Sequence, residues 1–482
     1  MKAMERRLMT TATSSPETLS TASWGDLFSG RNGLLAVALT GSVALHAINV
    51  HIVTTVLPSV VREIGGLDWY AWNTTLFVVA SIIGAALSVR VLAGRGPRGA
   101  CLAALALFSL GTIGCATALS MPWMLAARAV QGLGGGLLAA LSYALIRVVF
   151  EPPLWPRAVA LVSGMWGVAT LCGPAVGGLF AEAGHWRWAF WSLLPVAAAQ
   201  ALLVTLQLGP RERGTGAPPR VPVLQIVLLA ASVLAVATAS RAGHLAWQGA
   251  GVVLGLALGA LALRVDRQAR VRLLPSGSAS LGAPLGAAYA CVALLLVGTT
   301  TEIFVPYFLQ VLHGQTPLLA GYLTAAMAAG WSIGSLTSSG REGRQANGLL
   351  RSGPLFCVAG LAALAVVLPL GGDWSAWLRT LLAALALAAV GAGVGMGWPH
   401  LLTRVMALAP KGEEDAASTA ITTVQLYGMA IGAAVAGLVA NAAGLIEPGG
   451  EAGARSAAIW LFSGFILAPA LAAWLVRRVA ER

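Results

Sequence analysis

The sequence predicts an all-α polytopic membrane protein with fourteen transmembrane helices, and three observations lead to this fold class. The chain of 482 residues is 57% hydrophobic and only 10% charged, with a mean hydropathy of +0.80. Soluble domains carry about 25% charged residues, so this composition excludes a soluble globular protein. Apolar runs of bilayer-spanning length recur along the whole chain. The Lys and Arg residues collect in alternate loops between these runs.

Each apolar run has roughly the 20 residues that a helix needs to cross a bilayer. The runs lie at 33–57, 69–93, 99–120, 123–149, 157–182, 188–208, 222–240, 246–264, 285–309, 318–338, 353–370, 376–400, 416–444 and 457–476.

The basic residues test this assignment independently. All but six of the 30 Lys and Arg residues fall on one side of the predicted membrane. The exceptions are Arg128, within a span, and the loop residues Arg62, Arg187, Arg241, Arg379 and Arg455. By the positive-inside rule both termini are cytoplasmic and the number of spans is even. The net charge of +12 therefore reflects the excess of basic residues in the cytoplasmic loops, and no nucleic-acid partner is expected.

A short duplication indicates two related halves. Gly94–Arg98 follows the second run and Gly340–Arg344 follows the tenth, both rich in Gly and Arg. Paired halves are typical of secondary transporters. The predicted organisation is a cytoplasmic tail over 1–32, a six-helix bundle over 33–208, a linker with two extra helices over 209–284, a second six-helix bundle over 285–476 and a cytoplasmic tail over 477–482.

Several function classes lack their signatures. The five cysteines lie in apolar runs without metal-ligand spacing, so we expect neither disulfides nor a metal site. The sequence has no Gly-rich phosphate loop with Lys, which argues against ATP-driven transport. We see no activated nucleophile or paired carboxylates at membrane depth, so an enzyme is not expected. The basic, Ser/Thr-rich N-terminal residues indicate a tail rather than a cleaved signal peptide.

Glu302 is the one acidic residue predicted to lie within a span. An ionisable group in hydrocarbon is costly, so it marks a proton or ligand site by default. Burial also favours proton uptake by a carboxylate, as proton coupling requires. The alternative is a Glu near the outer interface that is hydrogen-bonded to the neighbouring threonines.

Two further spans carry polar side chains. Arg128, Gln131 and two glycines share a helix face by their i, i+3, i+4, i+7 spacing, with an Arg that extends to the headgroups as the alternative. On the first span Ser42, His46 and Asn49 share a face; His46 is a candidate proton carrier, and an interhelical hydrogen bond is the alternative.

A greasy substrate pocket is predicted from large side chains deep in the spans. Trp166 and Trp331, with Met165 and Met327, are suited to flat lipophilic molecules. Ordinary helix packing explains the same residues equally well.

Several motifs in order along the chain resemble the major facilitator superfamily, in particular its fourteen-helix drug:proton antiporter branch. They are Thr54–Pro58, Trp69–Trp72, Arg128-Ala-Val-Gln131-Gly132-Leu-Gly134-Gly135, Gly173-Pro174-Ala-Val-Gly177-Gly178, Trp186–Phe190 with Pro195, and Phe308–Gln310 with Gly314, Pro317 and Gly321.

The resemblance implies a major-facilitator fold with two extra central helices, and alternating access driven by the proton gradient without a cofactor. It assigns Arg128 a role in proton transfer and cavity electrostatics. It makes Gly173, Pro174, Gly177 and Gly178 the bending and leak-controlling segment of an antiporter. It places Arg95 and Arg98 in the cytoplasmic gate loop.

The chain departs from the family pattern at three positions. Asn49 stands where the first helix usually carries Asp, and Ala93 and Gly94 stand where the gate loop usually carries its Asp. Ala169 replaces a common Gly. The hinge motif is complete, whereas two acidic groups associated with coupling and gating are missing.

The sequence thus predicts a monomeric exporter of small amphipathic, drug-like compounds in the cytoplasmic (inner) membrane of a bacterial-type cell, exchanging them for protons. The alternatives are a dedicated exporter of one metabolite, such as a siderophore or self-made antibiotic, and a membrane sensor that does not transport.

Overall fold

The computed structural model describes residues 23–209, 220–370 and 374–480, and within these ranges it contains helices and no strands. We number the helices α1 Trp24–Phe28, α2 Gly30–Ile64, α3 Trp72–Ala116, α4 Met121–Val149, α5 Trp155–Glu182, α6 Arg187–Trp191, α7 Leu193–Gln207, α8 Val223–Ala239, α9 Leu245–Gln268, α10 Pro284–Thr299, α11 Val305–His313, α12 Pro317–Ser338, α13 Gly343–Leu370, α14 Ala376–Ala407, α15 Glu414–Ala442, α16 Gly450–Phe465 and α17 Leu467–Ala480.

The all-helical membrane fold class is confirmed. The described residues contain 11 helical stretches long and apolar enough to cross a membrane. One of these, Leu67–Ala116, includes two of the predicted spans. Two further predicted spans correspond to helices outside these 11 stretches, the shorter apolar helix Val223–Ala239 and the helix Pro317–Ser338. The structure is therefore compatible with fourteen crossings.

Two predicted boundaries take a different form in the structure. The expected loop at Gly94–Arg98 is a break inside α3, where Gly96 adopts φ 69° and ψ 176° and Pro97 follows. Such a positive φ is accessible to Gly at little cost. The ninth run is divided by a 3₁₀ segment, Thr300–Phe304, ahead of Pro306. Pro306 lacks the N–H that would continue an α-helical ladder through Glu302.

Glycines bring the helices of the first bundle into close contact. Gly132 of α4 lies against the carbonyl of Phe77 in α3, and the Ser81 hydroxyl donates to the Gly132 carbonyl at 3.0 Å. In a membrane, small residues allow backbones to approach, and van der Waals contact then holds the helices together. The α3–α4 pair is the most extensive helix contact of the described chain.

The second bundle repeats this arrangement between α12 and α14. Gly395 lies against the carbonyl of Trp331, and the Ser335 hydroxyl donates to the Gly395 carbonyl at 3.2 Å. Trp331 and Ser335 are four residues apart, as are Phe77 and Ser81 in the first bundle. Each bundle thus contains the same type of interhelical contact, in addition to the short sequence duplication.

The extra pair α8–α9 lies beside the junction of the two bundles. Helix α8 contacts both α3 and α15, and Ser232 lies 3.0 Å from the Tyr427 hydroxyl of α15. Asp266, near the end of α9, is buried and accepts hydrogen bonds from the backbone N–H groups of Leu273 at 2.6 Å and Leu274 at 3.1 Å. This carboxylate fixes the loop that leads into the second bundle.

Polar side chains join the bundles at the end where α2 finishes and α3 begins. Glu63 pairs with Arg187, and its other oxygen accepts the Trp186 indole N–H at 2.6 Å. Asp68 pairs with Arg241 from the α8–α9 turn at 2.9 Å. The Asn441 side chain of α15 donates to the Asp68 carbonyl at 3.1 Å, so first bundle, extra pair and second bundle meet here.

Candidate functional site

Arg128 is the centre of a buried polar cluster in the first bundle. Its side chain is 2% exposed and does not extend toward the headgroups. Its Nε donates to the Asn73 carbonyl at 3.2 Å, and its Nη1 donates to the Gln131 Oε1 at 2.5 Å. The guanidinium lies 4.0 Å from the centre of the Phe77 ring. Within the described ranges no carboxylate lies at ion-pair distance from Arg128, so amide, carbonyl and ring stabilise this charge.

Gln131 connects Arg128 to α3. Its Nε2 donates to the Thr112 hydroxyl at 2.8 Å, and the Cys115 thiol lies 3.8 Å from its Oε1. Gly111 of α3 lies directly against the backbone of Gln131, where a larger residue would separate the helices. The cluster is therefore held by packing on both sides, and the Arg128 guanidinium has a defined orientation.

His46 of α2 lies next to this cluster. Its ring stacks on Phe77 with centroids 5.4 Å apart, and the edge of Trp166 from α5 lies at 5.9 Å. A Cβ on Gly135 of α4 would lie 2.6 Å from His46 Nδ1, so that glycine makes room for the imidazole. Phe77 therefore has the Arg128 guanidinium and the His46 imidazole as neighbours. The structure thus brings His46 next to Trp166 and, through the shared neighbour Phe77, next to Arg128, although the sequence had placed these three residues in separate groups.

Asn49 lies one turn further along α2 and is fully buried. Neither its Oδ1 nor its Nδ2 has a hydrogen-bond partner among the described residues. Ser42, predicted on the same face, instead accepts from Gln200 of α7 at 3.1 Å. Of the predicted polar face, Ser42 therefore makes a contact between helices, whereas the Asn49 amide has no hydrogen-bond partner among the described residues.

Glu302 lies in the 3₁₀ segment and is half-buried. The neighbouring threonines do not bond to it: the hydroxyls of Thr300 and Thr301 donate to the carbonyls of Val297 at 2.7 Å and Gly298 at 3.2 Å. No contact joins Glu302 to Arg128, and the two residues belong to different bundles. Two residues beyond Glu302, Phe304 stacks on Tyr70 of the first bundle with centroids 5.0 Å apart.

The hinge motif lies where α2, α5 and α12 meet, which we call the glycine seam. Gly173 lies against the His51 side chain of α2, and a Cβ on Gly177 would lie 3.2 Å from Thr55 Cβ. A Cβ on Gly178 would lie 2.6 Å from Leu318 Cα of α12. Pro174 faces Gly321 of α12 across the same crossing. The bundles are in direct backbone contact at this point.

The four predicted pocket residues have different surroundings. Trp166 is 38% exposed, and Met165 is half-buried against the core. Trp331 is half-buried with its ring edge on Trp398 at 4.9 Å, whereas Met327 is 1% exposed between α12 and α14. Only the Trp166 side therefore presents an open aromatic surface among these four.

The two residues predicted to lie in the cytoplasmic gate loop flank the break in α3. Arg95 is exposed and Arg98 is half-buried, with Gly96 and Pro97 between them. Over the described ranges, no group of three or more His, Cys, Asp or Glu side chains is placed to hold a metal ion.

Sequence reasoning missed Asn73, Phe77 and Thr112, which surround the Arg128–Gln131 pair. Ser, Thr and Asn side chains on an apolar helix indicate an interhelical contact, so α3 did carry a signal for Thr112 and Asn73. Phe77 contributes its ring face and its carbonyl, and neither role has a sequence signal.

The chain has two helical bundles joined by a seam of small residues, with a buried cationic cluster in one bundle. This architecture is that of a multi-pass membrane protein of the transporter class. The chain belongs to the Major Facilitator Superfamily, whose family model matches residues 39–433. A probable multidrug-efflux transporter of Mycobacterium tuberculosis is 39% identical over 467 residues, covering 94% of this chain and 96% of that protein.

Solved structures show the same fold at low sequence identity. A POT family transporter aligns with a TM-score of 0.66 at 13% identity, covering 93% of this chain and 98% of that chain. A bacterial homologue of the human lysosomal transporter Spinster aligns with a TM-score of 0.62 at 17% identity, covering 94% and 97%.

Proposed function

We propose that the protein is a secondary active transporter that exports small amphipathic compounds in exchange for protons. The observation that carries this proposal is the glycine seam, where α5 of the first bundle and α12 of the second are in close backbone contact. Such a seam allows two rigid bundles to rock without unfolding a helix. The 39% identical relative named as a probable multidrug-efflux transporter supports the substrate class.

The substrate surface in this proposal lies on the Trp166 side of the first bundle. Trp166 and Met165 offer aromatic and thioether contacts to a flat lipophilic compound, and His46 lies at the Trp166 edge. Asn49 contributes an amide with free donor and acceptor capacity among the described residues. The buried Arg128 guanidinium disfavours a second positive charge nearby, whether that charge is on His46 or on a bound substrate.

Proton coupling in this proposal runs through Glu302 rather than the first helix, where Asn49 replaces the usual acid. Glu302 is close in sequence to Phe304, which touches Tyr70 across the bundle interface. A change of charge at Glu302 alters its solvation and hence the conformation of the short 3₁₀ segment. That segment transmits the change to the interface between the bundles.

A transport measurement tests the coupling role. The purified protein is reconstituted into vesicles, and uptake of a lipophilic cationic dye is followed with and without an imposed pH gradient. Glu302→Gln is expected to abolish pH-driven dye movement. Glu342→Gln, which removes an exposed carboxylate, is the matched control and is expected to retain it. Gradient-dependent transport by the Glu302 variant at the wild-type rate would rule out this coupling role.

Location and topology form part of the same proposal: a bacterial-type inner membrane, both termini in the cytoplasm, and a monomer as the working unit. The distribution of basic residues supports this orientation. Reaction of single introduced cysteines near 341 and near 455 with a membrane-impermeant reagent tests it. Reaction of both positions from the same side of intact cells contradicts the orientation.

A further inference from the structure

A contact between a histidine and an arginine joins α11 to α14 in the second bundle. The Nη1 of Arg379, in the first turn of α14, lies 3.0 Å from the Nδ1 of His313, the last residue of α11. Both side chains are half-buried. Beside them the Gln315 amide donates to the Thr380 hydroxyl at 3.4 Å. The transport steps proposed above make no use of this contact.

The chemistry of the two groups determines the protonation state of His313. An arginine guanidinium has five N–H donors and no acceptor, so the ring nitrogen that faces Arg379 must be unprotonated. The imidazole is therefore neutral, with its proton on Nε2. This Nε2 has no hydrogen-bond partner among the described residues. A second proton on the ring would bring two donors and two positive charges together.

The other charges around His313 do not compensate for Arg379. Glu451 and Arg455 of α16 both act on His313, but they pair with each other at 2.8 Å. The two α13 residues that line this region are apolar, and α12 carries no Asp, Glu, Lys, Arg or His. Glu302 precedes the opposite end of α11. Within the described ranges no carboxylate lies at ion-pair distance from His313.

Helix α11 also carries contacts to the first bundle at this end of the molecule. Arg62 of α2 donates to the Gln310 amide oxygen at 3.4 Å and is the charged group that α2 brings nearest to this part of α11. The Tyr70 ring, just before α3, lies 5.6 Å from the Tyr307 ring and 5.0 Å from that of Phe304. The contact between His313 and Arg379 therefore holds the end of a helix whose other contacts join the two bundles.

We propose that His313 is a proton-binding site at the outer end of the second bundle, and that its protonation releases α11 from α14. A proton from the adjacent aqueous phase binds the Nδ1 lone pair, the hydrogen bond from Arg379 is lost, and the two cations move apart. The charge of a histidine ordinarily changes between about pH 5 and pH 8. The site is separate from Glu302, and only its outward position rests on the proposed topology.

Release of α11 has a consequence for the junction of the bundles. Tyr70 and Arg62 contact α11 or the residue just before it, so a displaced α11 weakens the contacts between the bundles at this end. Acid on the outer side therefore favours opening toward the side from which the protons come.

The first test measures the protonation of His313 directly. The full-length protein is placed in lipid nanodiscs, where both faces meet the same pH, so the result depends on neither transport nor orientation. Nitrogen-15 NMR of the six labelled histidines is recorded from pH 8 to pH 5, and His313→Gln assigns the His313 signal. We expect a neutral ring with its proton on Nε2 at pH 8 and a protonated ring at pH 5. A ring that is protonated at pH 8 or still neutral at pH 5 would overturn the proposal.

The second test measures the release of α11. Spin labels on introduced cysteines at the exposed positions Val311 and Trp377 report the distance between α11 and α14, with Cys172 replaced by Ser. Acidification is expected to lengthen this distance and to raise the ratio of released to bound states about tenfold or more, as the loss of a hydrogen bond to a charged group implies. His313→Gln keeps an acceptor for the arginine and binds no proton, so its distances should be the same at both pH values.

Three further variants separate this site from other sources of pH dependence. His185→Gln removes an exposed histidine of the first bundle and is the matched control, which should respond as the wild type does. Asp373 lies outside the described residues, and since an aspartate titrates near about pH 4, Asp373→Asn should also respond. Arg379→Gln removes the facing cation, so its distances should not depend on pH, and this variant serves if His313→Gln does not fold. A wild-type shift in His313→Gln or Arg379→Gln, or its loss in Asp373→Asn, would overturn the proposal.

Discussion

Replacement of Gly178 by Ala tests whether the glycine seam is the closing contact between the bundles. An added Cβ would lie 2.6 Å from Leu318 Cα and 2.8 Å from Leu318 Cδ1. Carbon atoms in contact prefer about 3.5–4.0 Å, so α5 and α12 must separate by about 1 Å. Overpacking of this kind costs about 1–3 kcal/mol.

Gly167→Ala on the same helix is the matched control. Nothing lies within 4 Å of a Cβ at Gly167, so this variant gains the helical preference of Ala without a clash. The two variants carry the same chemical change on one helix and differ in what the methyl group meets. The difference between them is therefore the cost of the seam clash, about 1–3 kcal/mol, or roughly 5- to 150-fold in the ratio of closed to open states.

Spin-label distance measurements give the readout. Labels on introduced cysteines at the exposed positions Glu182 and Trp377 report the separation of the bundles at the seam end, in a background with the exposed Cys172 replaced by Ser. Gly178→Ala is expected to shift the distance distribution toward longer values and to slow dye transport. Gly167→Ala is expected to leave both near wild type. Identical distance distributions for the two variants would refute the reasoning.

Three further predictions concern single side chains. Asn49→Leu removes a buried amide without partners among the described residues, so we expect a gain of about 1 kcal/mol in unfolding free energy together with reduced dye transport; a loss of stability in thermal unfolding contradicts this. Arg128→Lys cannot donate both to a backbone carbonyl and to Gln131 in the same geometry, so transport is expected to fall at least tenfold, about 1.4 kcal/mol; wild-type transport would show that charge alone suffices. Glu413 accepts hydrogen bonds from the Ser276 N–H at 2.6 Å and the Ser276 hydroxyl at 2.7 Å, which lower the pKa of its carboxyl. This stabilisation is present above the pKa of the unfolded state and is lost as the pH falls through the pKa of the folded state. When the pH is lowered from 7 to 4, the thermal unfolding midpoint of Glu413→Gln should therefore fall by less than that of the wild type. Equal decreases in the two midpoints contradict the assignment.

The lengths and order of the helices were predictable because hydropathy reports how long a segment stays in hydrocarbon. The run 123–149 corresponds to Met121–Val149, and the run 376–400 begins where Ala376–Ala407 begins. The break ahead of Pro306 was not predicted. Its cause is local, a missing proline donor combined with Thr hydroxyls that bond to carbonyls three residues earlier.

Side-chain partners were predictable only in part. A helix that is apolar all round gives no sequence signal for which face meets which neighbour. Spacing therefore grouped Arg128 with Gln131 on one helix, whereas their partners Asn73 and Thr112 lie on another. Asp266 was assigned to a loop beyond its span, although the structure buries it as the acceptor for the backbone of the following loop. Such contacts depend on tertiary packing.

The extra helix pair makes the two sides of the molecule unequal toward the bilayer. On one side α8 covers the line where α3 and α15 meet, and Arg241 closes its end through Asp68. On the other side nothing lies within 4 Å of a Cβ at Gly164 or Gly167 of α5, and Trp166 is exposed between them. Under the proposed function, a hydrophobic compound dissolved in the membrane would reach Trp166 along α5, and the extra pair would cover the opposite face.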